Sequence, residues 1–79
     1  MDSGVFHVIK DGIVYELRPE PEGGMTISVP ALPGCISFGD TFEHAMEMIA
    51  DAMEGYLAVA REEGFPVPSQ FEPQQQRAS

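Results

Sequence analysis

The segment Gly24–Ala45, GMTISVPALPGCISFGDTFEHA, constrains the fold of this chain more than any other. It places an alternating strand, a rigid corner and a capped helix start end to end. Within Met25–Val29, Met25, Ile27 and Val29 point one way and Thr26 and Ser28 the other. That period of two predicts a strand with one buried face. Pro30-Ala31-Leu32-Pro33-Gly34 ends it, because each proline fixes its own φ. Cys35–Phe38 resumes an extended run with Ile36 and Phe38 on one face, and Gly39-Asp40-Thr41 breaks to a helix.

The helix is the clearest element. Phe42, Ala45, Met46, Ile49, Ala52, Met53, Tyr56, Leu57 and Ala60 recur in steps of three and four, one apolar stripe at helical period. Asp40 or Thr41 can serve as N-cap. With Asp40 in that role, Glu43 completes a capping box; with Thr41, the matching position is His44, which cannot complete the usual box. Gly64 followed by Pro66 predicts the C-terminal stop.

Upstream, Val5–Ile9 and Ile13–Leu17 flank Asp11-Gly12, a strong two-residue hairpin signal. Arg18–Gly24 reads as a loop. The tail holds Pro66, Pro68 and Pro73 and the run Gln74-Gln75-Gln76. Its first half is expected to lie extended against the sheet through Phe65, Val67 and Phe71, and its last half to be disordered. The sum is an α+β domain over residues 1–70, with 71–79 as tail. Its architecture is a three- to four-stranded antiparallel sheet with one long amphipathic helix on one face.

A chain of 79 residues supports one small domain, and domains of that size gain stability from disulfides, metals or a partner subunit. Cys35 is the single cysteine, and Cys35, His7 and His44 lack zinc-ligand spacing. A homodimer or higher oligomer is therefore expected. The net charge of −9, from 13 acidic and 4 basic residues, disfavours nucleic acid and favours a basic protein partner. The start Met1-Asp2-Ser3-Gly4 reads as no export signal, and no run suits a bilayer. With the lone thiol, these features lead us to expect a cytoplasmic protein.

No catalytic, metal or cofactor site is expected. Cys35 could pair with His7 or His44 as a nucleophile, but a lone cysteine on a strand reads better as a buried inert thiol. The acids Glu43, Glu47, Asp51 and Glu54, spaced four, four and three apart, fall on one side of the helix. Arg61 is the one basic residue of that helix. The acids are either a solvated face or the contact surface for a cationic partner. Met48, Gly55 and Val59 lie beyond the apolar stripe on the edge opposite the acids. They read as core margin or as a subunit interface.

These segments together resemble the HicB-like antitoxins of bacterial toxin–antitoxin pairs. The resemblance rests on the turn Gly23-Gly24, the corner Val29-Pro30-Ala31-Leu32-Pro33-Gly34-Cys35, and the helix start Gly39-Asp40-Thr41-Phe42-Glu43-His44-Ala45. It extends to Gly64, Pro66 and Pro68 after the helix. In that pattern Gly24, Pro30, Leu32, Pro33, Gly34, Cys35, Gly39, Asp40 and Thr41 are structural. The chain departs from it at His44, where an acid is common, and in the additional strand Val5–Ile9. The resemblance implies a partial ribonuclease-H-like fold without that fold's metal cluster. It further implies a non-catalytic protein that binds a small basic HicA-type ribonuclease toxin. Many relatives continue into a DNA-binding domain; the sequence ends at Ser79 without one, so direct operator binding is not expected. The rival readings are an orphan homo-oligomeric module with no toxin, and an active nuclease.

Overall fold

Asp11 and Gly12 both adopt positive φ, 56° and 80°, the pairing a tight type I′ hairpin requires. They join β1 (Phe6–Lys10) to β2 (Ile13–Pro19). In the computed structural model, which describes residues 4–71, two further strands follow, β3 (Met25–Ser28) and β4 (Ile36–Gly39). The four form one antiparallel meander in the order β1-β2-β3-β4. A 22-residue helix, α1 (Phe42–Glu63), then returns over the sheet, and a 3-10 turn spans Ser69–Phe71. The architecture is the expected α+β sheet and helix, with four strands. Residues 72–79, where most of the expected disordered tail falls, lie outside the described residues.

The register divides the sheet into two unlike faces. Val8 pairs with Tyr15, Leu17 with Ile27 and Met25 with Gly39, so these residues share a face. Helix α1 packs on that face, chiefly over β4 and also over β3. Tyr15, Leu17, Ile27, Val29, Leu32, Cys35, Ala45, Ile49 and Phe71 form the buried cluster. Fully burying a side chain the size of Leu17, Ile27 or Ile49 contributes about 1.5–3 kcal/mol. The opposite face carries Ile9, Val14, Ile36 and Phe38, all exposed, with His7, Glu16 and Arg18 between them. There His7 Nε2 lies 3.4 Å and Arg18 3.9 Å from the Glu16 carboxylate.

Two glycines are fixed by close approach. A Cβ on Gly39 would meet the backbone of His44 and Ala45, so the first turn of α1 rests on β4 with no side chain between. Gly24 has φ 79°, and a Cβ there would strike the Phe38 ring on the open face.

Three local expectations change. Strand β2 continues through Arg18 and Pro19, which the sequence placed in a loop. Pro19 pairs with Met25, beyond the last residue that β1 opposes, and its missing N–H costs no ladder bond on that side. Of the three apolar tail residues, Val67 is half-buried and Phe71 buried, but Phe65 stays 59% exposed. Phe71 closes the core, so the packed unit reaches one residue past the boundary drawn at 70.

Candidate functional site

The helix ends are built locally. Thr41 is the N-cap: its side-chain oxygen accepts the His44 backbone N–H at 3.0 Å. His44 Nδ1 in turn accepts the Asp40 N–H at 3.0 Å. The imidazole thus takes nearly the reciprocal role of a capping-box acid, one residue upstream of the usual donor. Glu43 holds no cap contact and remains a first-turn acid suited to the helix dipole. At the other end Gly64, with φ 78°, and Phe65 donate their N–H groups to Arg61 and Ala60, closing a Schellman motif.

The Pro30–Gly34 corner is two consecutive turns. Leu32 N–H donates to Val29 O and Cys35 N–H to Leu32 O, each at 2.9 Å. Leu32 plugs the core, and the Tyr56 hydroxyl donates to Pro33 O at 2.9 Å, tying α1 to the corner. Pro30 and Gly34 are exposed, and Gly34 holds φ 89°. The corner is a clamp on the helix.

The Cys35 thiol is buried, and burial pushes its pKa up, toward the unreactive thiol. Tyr15 is raised too, by burial first, then by the charges of Asp11 and Cys35. Among the described residues, no cluster of His, Cys, Asp and Glu could hold a metal ion.

What distinguishes the surface is the contrast between the flanks of α1. Glu43, Glu47, Asp51 and Glu54 are all exposed, and none forms an ion pair among the described residues. Glu43 and Glu47 border a shallow hollow of about 450 Å³ with Phe42, Met46, Val8, Ile9 and Lys10. This places Glu43 and Glu47, the N-terminal half of the acidic flank, beside β1. The other flank borders β4. Gly55 and Val59, with Ala52 and Tyr56, line an apolar groove of about 440 Å³ whose other wall is Cys35, Ile36 and Phe65. Met48 is exposed and outside that lining, but it continues the Ala52–Gly55–Val59 stripe one turn earlier. The sequence places Phe65 against the sheet and Ile36 on a face with Phe38, but puts neither in a surface groove. The Schellman ending at Gly64 is the signal for Phe65, since an apolar residue commonly follows such a glycine.

The described residues form a small sheet-and-helix domain with two shallow hollows, one on either flank of α1. Residues 14–79 match the family model described as the HicB-like antitoxin of bacterial toxin–antitoxin systems. A UPF0150 protein of Synechocystis sp. is 43% identical over 54 residues, which is 68% of either chain. No solved structure matches. The chain belongs to the HicB-like antitoxin family.

Proposed function

We propose that this protein is an antitoxin that binds and neutralises a small basic HicA-type toxin that cleaves mRNA. Family membership supports an antitoxin role in general, and the acidic flank supports a cationic partner. The single observation that carries the finer reading is the row Glu43, Glu47, Asp51 and Glu54. Four exposed acids, none of them in an ion pair among the described residues, line one side of a helix on a chain of net charge −9. Rows of one sign steer an oppositely charged partner and raise its association rate. The protein acts by covering the toxin, without turning over a substrate, and it does so in the cytoplasm. No helix among the described residues is long and apolar enough to cross a membrane. We read the meander and helix as a partial ribonuclease-H-like domain, the protein as a homo-oligomer, and operator binding as absent from these residues.

The test is co-expression with the product of the neighbouring reading frame. The proposal expects a basic protein that co-purifies with this chain and whose RNA cleavage stops at a stoichiometric ratio. A neighbour that neither binds nor cleaves RNA would favour the orphan module instead. RNA cleavage by the purified chain alone, lost on mutating one carboxylate, would overturn the antitoxin reading.

A further inference from the structure

We propose that the outer edge of β1 and the hollow between it and α1 are a docking site for an extended cationic segment of another protein, which adds to the sheet as a fifth strand. The inference rests on the reading that Glu43 and Glu47 meet a cationic protein, and adds the form in which that protein's chain is held.

The turn sets which backbone groups are free. A two-residue hairpin closes on a hydrogen-bonded pair, here Lys10 and Ile13, and bonding then alternates along the ladder. Val8 and Phe6 therefore bond to Tyr15 and Leu17. His7 and Ile9 turn their N–H and C=O groups outward, along an edge with no neighbour among the described residues. Such an edge is a template for another strand unless it is blunted. Strand β1 carries no proline, its pairing with β2 runs from Phe6 to Lys10 without a bulge, and its lysine stands at the hairpin end. The edge is also this chain's own. It lies ahead of residues 14–79, the span that the family model matches, so family membership does not supply it.

Side-chain chemistry selects the occupant. Directly paired residues share a face of the sheet, and Val8, opposite Tyr15, is on the face that α1 covers. A fifth-strand residue opposite Val8 faces the helix too, in the hollow of about 450 Å³ that Val8, Phe42 and Met46 line. Those walls suit an aliphatic side chain. The next helix-facing residues of the added strand lie about 6.6 Å to either side. Glu43 and Glu47, one helical turn or about 5.4 Å apart, border the same hollow and form no ion pair among the described residues. Arginine or lysine at those flanking positions reaches them. Lys10 also lines the hollow but is exposed, and two carboxylates outweigh one ammonium. The groove beside β4 makes no such selection, because its lining holds no carboxylate among the described residues. The occupant is thus a strand whose aliphatic residue is flanked, two positions away on each side, by cations.

The experiment follows amide hydrogen exchange by NMR on the full chain. The probe is the end-blocked peptide Thr-Arg-Thr-Val-Thr-Arg-Thr at about 1 mM. Exchange at the His7 and Ile9 amides is expected to slow about tenfold, the protection that a Kd of about 0.1 mM gives at that concentration. The Ile36 and Phe38 amides, on the β4 edge, should not change. The same peptide with Glu in place of both Arg residues should protect neither edge. Ile9→Pro removes an outward donor without breaking the ladder to β2, and should abolish the protection of His7. If that variant does not fold, Glu43→Gln combined with Glu47→Gln, both at exposed positions, supplies a second reading. Protection at His7 and Ile9 should then fall roughly threefold. Unchanged exchange at His7 and Ile9, equal slowing with the Glu peptide, slowing at Ile36 and Phe38 instead, or a wild-type response from either folded variant would overturn the proposal. Co-purification with the neighbouring protein is a separate result, so this inference and the antitoxin reading can fail independently.

Discussion

The two long flanks of α1 differ in the one property that decides what can approach them. One presents Glu43, Glu47, Asp51 and Glu54, the first two beside β1; the other presents Ala52, Gly55 and Val59 beside Ile36 on the β4 edge. Both rest on the same buried stripe of Ala45, Ile49 and Ala60. A single helix of 22 residues can therefore offer an electrostatic surface and an apolar one without either disturbing the core. The lesson is separation. A chain of this size can hold two contacts only if its scaffold isolates them.

Substitutions rank by how far they reach into that shared scaffold. Gly39→Val should do most harm, because its side chain would collide with the backbone of Ala45 and His44 and lift α1 from β4. Overpacking typically costs about 1–3 kcal/mol and occasionally more, and because the atoms struck here are backbone the cost should fall at the upper end or beyond, loosening both flanks together. Chemical denaturation checks this, and a folded variant of near wild-type midpoint would contradict it. Ile49→Ala should cost about 2–5 kcal/mol by leaving a cavity under the helix. Thr41→Ala removes the acceptor for the His44 N–H and should cost about 1 kcal/mol, read as a lower denaturation midpoint with unchanged slope.

A smaller effect follows from pH. Burial holds the Cys35 thiol and the Tyr15 hydroxyl neutral, so each has a higher pKa folded than unfolded. The stability this contributes is complete below the unfolded values, about 8.5 for cysteine and 10 for tyrosine, and is lost as pH rises through the folded ones. Melting temperature should therefore decline from about pH 8 upward, and Cys35→Ala should soften the first part of that decline. An alkaline decline identical in the variant would remove Cys35 as its source.

The scaffold was largely legible in the sequence and the surfaces were not. Asp11-Gly12 specified the hairpin, alternation marked a strand over Met25–Val29 that forms as Met25–Ser28, and the pair Asp40-Thr41 with Gly64 bounded the helix, because each signal acts through adjacent backbone. Pro19 misled, since a proline in a strand is tolerated only where the neighbouring strand has ended, and that depends on register. Ile36 and Phe38 showed their common face but not that it is the open one, which is fixed by where α1 lands. The acids could be placed on one side of a helix from spacing alone. The nearness of Glu43 and Glu47 to β1, and the position of Gly55 and Val59 beside β4, required the fold.

The charge claim can be tested on its own by stopped-flow association with the neighbouring basic protein, comparing wild type with Glu47→Lys together with Asp51→Lys at low and high salt. Both substitutions are on exposed positions and should alter stability by no more than about 0.5 kcal/mol. The account predicts slower association for the variant at low salt and a flatter dependence on ionic strength. Equal association rates for the two proteins at low salt would contradict it.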